Sequence, residues 1–271
     1  MREDGTQHGR RHAAQAATAI TAAAIGVAVI AGCASRGSGL AARSDKSADG
    51  AIQFAAARMQ TAKSVHVHAL LSGATDTETG TIDGSVVLAP TLEGDLTLKL
   101  AADPPIAPSH IIYDGKTVYT SFPQGYHVTS KSKPKAAWFA ADTGNPNASD
   151  SAVLKELKED PAALVKAALA KGKFTQAGSD DADGIAATRF TGDVTGKPAG
   201  HVDVWLDAAG LPVKLVFQST GNGEKGRAEI HFSDWGKPVT ITAPPAEEVL
   251  TSNDQADFAI SGQQFKVSSD P

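Results

Sequence analysis

Residues 92–100, Leu-Glu-Gly-Asp-Leu-Thr-Leu-Lys-Leu, place leucine at alternate positions of the chain. Leu92, Leu96, Leu98 and Leu100 share one side, and mostly charged or hydroxyl side chains occupy the other. Successive side chains of an extended chain point to opposite faces, so a period of two indicates a strand with one apolar face and one solvated face. The segment is therefore predicted to be a strand of an antiparallel sheet that buries one of its faces.

The same alternation recurs before and after this strand. It covers residues 65–71 and 82–88 before this strand, and residues 202–206, 213–217 and 228–232 after it. With shorter runs included, about ten strands are predicted, which is well above the strand content of an average domain. A β-rich domain with largely antiparallel strands is therefore expected.

Helical spacing appears in three segments. Ile52 and Met59 belong to one apolar face of a helix predicted over residues 48–62. Two further helices are predicted at residues 151–158 and 161–171, the second beginning with a proline and followed by a glycine. All three have narrow apolar faces in which alanine is common.

Polar runs and turn residues predict the connections. The Asp-Gly pair at 114–115 is typical of a tight hairpin. Residues 131–150 are predicted to be a loop, and the acidic run at 180–184 a solvated turn. Residues 239–241 are predicted to form a last short strand before two prolines, and no strong pattern follows Leu250.

The first 33 residues have the parts of a secretory signal. Arg10 and Arg11 are followed by a nearly charge-free apolar run, and the sequence Ile-Ala-Gly-Cys stands at residues 30–33. This ending resembles the bacterial lipobox, in which the cysteine receives a diacylglyceryl group and becomes the new N-terminus. The alternative is a retained transmembrane helix in which Cys33 has no such role.

These observations divide the chain into four parts. Residues 1–32 are interpreted as a lipoprotein signal peptide, 33–47 as a flexible tether rich in Gly, Ser and Ala, 48–250 as one domain, and 251–271 as a C-terminal tail. Cys33 is the only cysteine, so no disulfide can stabilise the domain. The net charge is −5 without a long basic run, which argues against nucleic-acid binding.

The apolar faces of the strands and of the helices differ in size. The strands contribute many Val, Leu, Ile and Phe side chains, whereas the helices contribute mainly alanine. A large sheet must curl or split to hide its apolar face, so a sandwich, a closed barrel and a half-barrel capped by helices are all possible. An apolar gap is costly unless something apolar fills it, so the half-barrel predicts a hydrocarbon-binding cavity. The periodicity leaves all three outcomes open.

Residues of a catalytic or metal site form no convincing motif in this sequence. His66 and His68 lie two apart on one predicted strand face, as a metal-binding pair would, but the favoured interpretation is two solvated polar side chains. There is no nucleophile elbow, no zinc-protease motif and no phosphate-binding glycine loop. The prediction is a protein that is not an enzyme and holds no cofactor or metal.

Several sequence segments together resemble a known protein family. They are the lipobox at 30–33, the helix-to-strand segment at 54–67, Gly-His-Val-Asp-Val-Trp-Leu-Asp at 200–207, Gly-Leu-Pro-Val-Lys-Leu at 210–215, Phe-Ser-Asp-Trp-Gly-Lys-Pro-Val at 232–239 and Thr-Ala-Pro-Pro at 242–245. In these segments the chain resembles the actinobacterial LppX/LprAFG lipoproteins, over most of residues 33–250.

The resemblance implies both a fold and a function. The fold is α+β and β-rich, a LolA/LppX-like curved antiparallel half-barrel with helices on its concave face. The implied partners are an acylated lipid or glycolipid in the cavity, the cell membrane through an N-terminal lipid anchor on its extracytoplasmic face, and an envelope transporter. Of the family's functional residues, only Cys33 maps directly onto this chain, as the site of lipidation.

The strands with one apolar face and the helices with narrow apolar faces also indicate which residues would line a cavity. They are leucines of one strand and apolar residues of the helices: Leu92, Leu96, Leu98 and Leu100, with Met59, Leu164 and Leu169. The competing hypothesis is an interaction module with a filled core. Its polar face, or the loop at 131–150, would bind an envelope protein or a polysaccharide.

Overall fold

One helix opens the part of the chain that the computed structural model describes. The described residues are 47–72, 79–88, 90–101, 107–122, 126–142, 173–194, 199–219, 226–251, 254, 257–260 and 263–266. Helix α1 covers Ala48–Ala62, as predicted. The Ser47 hydroxyl caps it by accepting a hydrogen bond from the Gly50 N–H at 3.0 Å, and Lys63 ends it in the left-handed conformation. Within these ranges, no helix has both the length and the hydropathy needed to cross a membrane.

Fifteen strands follow α1 within the described ranges. They are β1 (Ser64–Ser72), β2 (Thr79–Val87), β3 (Glu93–Ala101), β4 (Ser109–Tyr113), β5 (Thr117–Ser121), β6 (Tyr126–Thr129), β7 (Trp138–Asp142), β8 (Lys173–Ala182), β9 (Ile185–Val194), β10 (Gly200–Leu206), β11 (Pro212–Ser219), β12 (Arg227–Ser233), β13 (Val249–Leu250), β14 (Asp257–Ile260) and β15 (Gln263–Lys266). The six clearest predicted strands correspond to β1–β3 and β10–β12. The predicted hairpin at 114–115 joins β4 to β5.

Twelve of these strands form one open sheet in the order β13-β7-β5-β4-β3-β2-β1-β12-β11-β10-β9-β8. Every pair in it is antiparallel except β13 with β7. Two antiparallel runs, β1–β5 and β8–β12, meet where β1 pairs with β12, with Val67 opposite Phe232. The edges are different strands that do not pair with each other, so the described sheet is not a closed barrel. This confirms the half-barrel among the three possible outcomes.

The core lies between α1 and one face of this sheet, called here the inner face. Ala51, Ile52, Ala55 and Met59 of α1 belong to a single buried apolar cluster with strands from β8 at one edge to β3 beyond the middle. A single buried cluster that joins one helix to strands so far apart indicates that the sheet curves around the helix. The strand side of the cluster includes fully buried residues: Val65, Val67, Phe190 and Ile230.

Both ends of α1 are attached to the sheet or its connections. The Asp49 carboxylate accepts a hydrogen bond from the Phe174 N–H of edge strand β8 at 3.2 Å. After the helix, the Ser64 hydroxyl donates to the Lys237 carbonyl at 2.6 Å. Phe54, on the flank of the helix, packs so closely on the β10–β11 turn that a Cβ atom at Gly210 would lie 2.6 Å from its ring. These contacts keep α1 at a defined position on the inner face.

A separate three-stranded sheet, in the order β15-β14-β6, contains the C-terminal strands. The tail in which no pattern was found therefore forms a hairpin that pairs with β6. The Asp254 carboxylate connects the chain before β14 to the segment that follows β6. It accepts hydrogen bonds from the Thr251 N–H at 2.9 Å and from the Ser132 hydroxyl at 3.1 Å. The hydrogen bonds from Thr251 lower the pKa of Asp254, so its ionised form favours this connection.

Two predictions of local structure are wrong. The loop expected at 131–150 contains β7, because the short run beginning at Trp138 finds a strand partner on each side, β5 and β13. The strand expected at 239–241 is absent, and the chain from 237 to 245 is irregular. Its three prolines lack the N–H groups that a strand needs, and β13 pairs with the sheet instead.

The edge strand β8 was not predicted, because its sequence is polar and shows no alternation. Only Phe174 and Ala182 are buried in it, and its backbone pairing with β9 makes it a strand. The acidic run at 180–184 is divided, since its first three residues end β8 and Asp183-Gly184 form the turn. The helices predicted at 151–158 and 161–171, and the signal and lipobox at 1–33, lie outside the described residues.

Candidate binding site on the inner face of the sheet

The half of the inner face formed by β8–β12 and β1 is filled by its own side chains. Val67, Phe190 and Ile230 are each at most 1% exposed. Phenylalanine rings also cover the glycines there. A Cβ atom at Gly200 would lie 2.5 Å from the Phe217 ring, and one at Gly192 would lie 2.8 Å from the Phe174 ring. This half, together with α1, is a close-packed core.

Apart from Gly94, Leu98 and Val118, the inner face of the other half, formed by β3, β4, β5 and β7, is only half-buried. One row of inner-face residues crosses it, and each faces the next on the neighbouring strand: Leu96, Ile111, Thr120 and Phe139. All four are partly exposed. Leu100 on the same face of β3 is half-buried too, and both Leu96 and Ile111 pack against the edge of the core cluster. An apolar surface thus continues beyond the part that α1 covers.

Some of the predicted cavity residues lie in the core cluster, and others lie on the half-buried surface that borders it. Met59 and Leu98 are 3% and 4% exposed and lie within the core cluster. Leu92, Leu96 and Leu100 are partly exposed and border it. The other three predicted site residues, Leu164, Leu169 and Cys33, lie outside the described residues. Leu92, Leu96 and Leu100 are therefore better placed than Met59 and Leu98 to contact a bound molecule.

Three inner-face residues of this half were missed from the sequence: Ile111, Tyr113 and Phe139. Two isoleucines in succession, Ile111 and Ile112, conceal which one faces inward, and Phe139 lies in the segment predicted to be a loop. Burial, followed by the charge of Asp114, raises the pKa of Tyr113. Its hydroxyl is therefore a neutral donor at physiological pH, placed at the border of an apolar surface.

The outer face of the sheet carries ionisable groups in pairs. His68 Nδ1 lies 3.0 Å and His66 Nε2 lies 3.6 Å from the same Asp83 oxygen. Both histidines are partly exposed, as the interpretation of solvated polar side chains expects. In the described ranges, no group of three or more His, Cys, Asp or Glu residues is placed to hold a metal ion.

Glu229 is the centre of the most extensive ion-pair group on this outer face. Its carboxylate contacts Lys214 and Arg227, and His231 Nε2 lies 3.2 Å away. Burial pushes the pKa of Glu229 upward, but hydrogen bonds from Lys214 and Arg227 and their positive charges outweigh burial and lower it to about 2. The ionised carboxylate therefore stabilises the contact between β11 and β12.

Replacement of Glu229 by glutamine is expected to lower the free energy of unfolding by about 1–3 kcal/mol at pH 7. The folded-state pKa is below the ordinary value of 4.5, so this stabilisation is present above pH 4.5 and disappears as the pH falls toward 2. Urea unfolding at pH 7 and at pH 3 measures the difference. Asp193→Asn, at a carboxylate that is 83% exposed, is the control. An equal loss for E229Q at both pH values would contradict this assignment.

Arg58 differs from Arg189 and Arg227, the two arginines of the described segments that pair with carboxylates. Its Nε atom is buried and has no hydrogen-bond partner. A buried donor left unsatisfied costs about 1–3 kcal/mol. The residue lies on the flank of α1, one turn after Phe54 and adjacent to the alanine stripe that faces the core. Arg58 was not among the residues predicted from the sequence. It is the only basic residue of α1, and the only acidic residue of that helix, Asp49, is nine positions away.

An open antiparallel sheet curved around a helix, with part of its apolar inner face only half-buried, defines a half-barrel fold. The family model of the LppX_LprAFG lipoproteins matches residues 47–244. The chain belongs to this family, as the sequence resemblance indicated. The family is one of lipoproteins and is not an enzyme family.

The chain is also similar to several solved structures. LppX of Mycobacterium tuberculosis is 17% identical, with a TM-score of 0.51 over 72% of this chain and 97% of its own. LprF of Mycobacterium bovis is 19% identical, with a TM-score of 0.45 over 74% and 99%. MucB is 15% identical, with a TM-score of 0.38 over 77% and 75%. At such identities the likeness concerns the fold alone, and no curated protein matches the sequence.

Proposed function

We propose that this protein binds an acylated lipid or glycolipid on the inner face of its half-barrel and carries or presents it at the cell envelope. The observation that carries the proposal is the half-buried row from Leu96 to Phe139, which continues the core beyond the reach of α1. Burial of hydrocarbon contributes about 0.8 kcal/mol per methylene. An acyl chain along this row would gain that energy without displacing the filled half of the core.

Attachment to the membrane is the second part of the proposal. Cys33 would carry the lipid anchor, and residues 33–47 would be a tether that lets the domain move over the membrane surface. Membership in a lipoprotein family supports this part. Mass spectrometry of the N-terminal peptide after purification from the native host would show whether Cys33 carries a diacylglyceryl group.

Leu96→Asp is expected to weaken lipid binding about tenfold or more, because a carboxylate on the binding surface must be desolvated when an acyl chain covers it. Binding is measured as the fluorescence of an apolar dye that brightens on burial, and as its displacement by added lipid. Leu70→Asp is the matched control. Leu70 is 42% exposed and lies on the outer face of β1, so its replacement should leave dye affinity unchanged.

Two results would contradict the proposal. One is a folded wild-type chain that takes up no dye and yields no stoichiometric lipid on extraction after purification from the native host. The other is an equal loss of affinity in L96D and L70D, which would place binding away from the inner face. A chain without lipid would favour the interaction-module hypothesis.

A further inference from the structure

The hairpin formed by β8 and β9 extends beyond the rest of the sheet. β10 pairs with β9 only over residues 188–194. The distal part of the hairpin, residues 180–187, pairs in the described part of the chain only with itself, up to the pair of Asp180 with Ala187. An overhang of this kind would project into solvent if it continued straight. Ala182 and Ala187 are nevertheless buried, so the overhang packs on something.

Residues 180–187, called here the strap, fold back across the outer face of the sheet. The Asp183 carboxylate in the turn of the strap contacts His231 Nδ1 of β12, and both β10 and β11 lie between β9 and β12. At the usual spacing of strands, the strap therefore reaches about 14 Å across the sheet. A bulge bends the strand that carries it, and β8 has one between Gln176 and Gly178, where Gly178 has a φ of +131°.

The strap covers Trp205, which lies on the outer face of β10 opposite Lys214 of β11. Trp205 is only 8% exposed. The other buried members of its cluster come from the strap and from β11: Ala182, Ala187, Val213 and Val216. The cations of Arg189 and Lys214 flank the indole, 5.2 Å and 5.4 Å from its centroid. A large apolar ring on the outer face is thus buried in part by two alanines of the strap.

Strand β8 connects the strap to the inner face. It has two buried side chains, Phe174 at its start and Ala182 in the strap. Phe174 belongs to the core cluster, and its N–H donates to the Asp49 carboxylate at the start of α1. Release of the strap would leave this edge strand with one buried side chain, at the point where the strand holds the helix that covers the inner face.

We propose that the strap regulates the exchange of lipid on the inner face. Closed over Trp205, it holds β8 and the start of α1 in place, and its release lets α1 move away from the sheet. This inference rests on the proposed function and adds a control to it. The strap is suited to such movement, because two alanines and the partly exposed Asp183–His231 pair hold it. A pair of this kind contributes little, and segments with few buried contacts open at low free energy.

Ala182→Lys is expected to release the strap, because an ammonium group cannot be buried beside the indole and its two cations. Hydroxyl-radical footprinting with mass spectrometry measures the oxidation of Trp205 separately from that of the other two tryptophans. Oxidation of Trp205 should be about fivefold faster or more, as expected from the cost of burying an unpaired charge. Stopped-flow fluorescence of the apolar dye should show uptake and release about threefold faster or more.

Ala186→Lys is the matched control. Ala186 is an exposed residue of the same strap, so the same charge there should change neither the oxidation of Trp205 nor the rates of dye exchange. An equal effect of A186K and A182K would overturn the inference, because the added charge on the hairpin, and not release of the strap, would then be the cause.

Asp183→Asn removes the ion pair and leaves the alanines in place. It should raise the oxidation of Trp205 and the exchange rates about twofold to fivefold, as expected from a partly exposed pair. Asp193→Asn is its control, because Asp193 pairs with His201 of the neighbouring strand and takes no part in the strap. Thermal unfolding of each variant checks the fold, and D183N tests the same inference should A182K unfold.

The outcomes distinguish this inference from the proposed function. If the folded wild type takes up no dye, the proposed function fails and the control of exchange fails with it. If the wild type takes up dye, and Trp205 is oxidised faster in A182K without faster exchange, the proposed function stands and the control by the strap is overturned. Unchanged oxidation of Trp205 in both A182K and D183N would overturn the closure of the strap itself.

Discussion

Replacement of Phe190 by alanine is expected to lower the free energy of unfolding by about 3–5 kcal/mol. Phe190 is among the largest fully buried side chains, at 1% exposure, and on the inner face of β9 it lies opposite Val204 of β10. Removing the ring leaves a cavity under α1, and hydrogen-bonded strands on both sides keep the backbone from closing it. Urea unfolding followed by circular dichroism measures the change.

Leu70→Ala is the control for Phe190→Ala. Leu70 is 42% exposed on the outer face of β1, so its truncation should cost less than about 0.5 kcal/mol. Comparable losses in the two variants would mean that the filled half of the inner face is not the core of this protein. The division between a packed half and a half-buried half would then have to be abandoned.

Gly84→Ala is expected to destabilise the protein by about 2–5 kcal/mol, because a methyl group has no room there. Gly84 has a φ of +154°, and a Cβ atom would lie 2.1 Å from the Asp95 carbonyl oxygen. That oxygen belongs to the backbone of β3, which pairs with β2 along its length. The strand cannot move away without breaking the ladder that carries Leu96 and Leu100.

Gly94→Ala tests the same surface without the clash. Gly94 also lies on the inner face beside Leu96, and the nearest atom to its added Cβ would be 3.9 Å away. Its replacement should shift the melting temperature by a small fraction of the shift caused by Gly84→Ala. If the two alanine variants have the same melting temperature, the close approach of β2 and β3 at Gly84 does not determine the stability of the fold.

The candidate site was predictable in part. Alternation placed Leu92, Leu96, Leu98 and Leu100 on one face correctly, because side-chain direction in a strand depends only on local geometry. It could not show that Leu98 is buried while Leu96 and Leu100 are half-buried. That difference depends on how far α1 reaches across the sheet, and α1 is attached through Asp49 to β8, which lies far away in the sequence.

For Arg58, too, the sequence showed one property and only the structure showed another. Its lack of an acidic neighbour on the helix was visible in the sequence, since helix spacing determines which residues meet. Its burial without a hydrogen-bond partner was not visible. It follows from packing against elements distant in sequence, and only coordinates show it.

Local patterns in the sequence determined the elements themselves: α1, the six clearest strands, the hairpin at 114–115 and the face to which each alternating side chain belongs. Tertiary structure alone decided that the sheet stays open, that β8 becomes its edge, and that β7 and the C-terminal hairpin pair as they do. The joining contact, β1 with β12, sets Val67 against Phe232 across 165 residues of chain. Periodicity acts over a few residues, whereas such a pairing is selected by the free energy of the whole core, so no local pattern contains it.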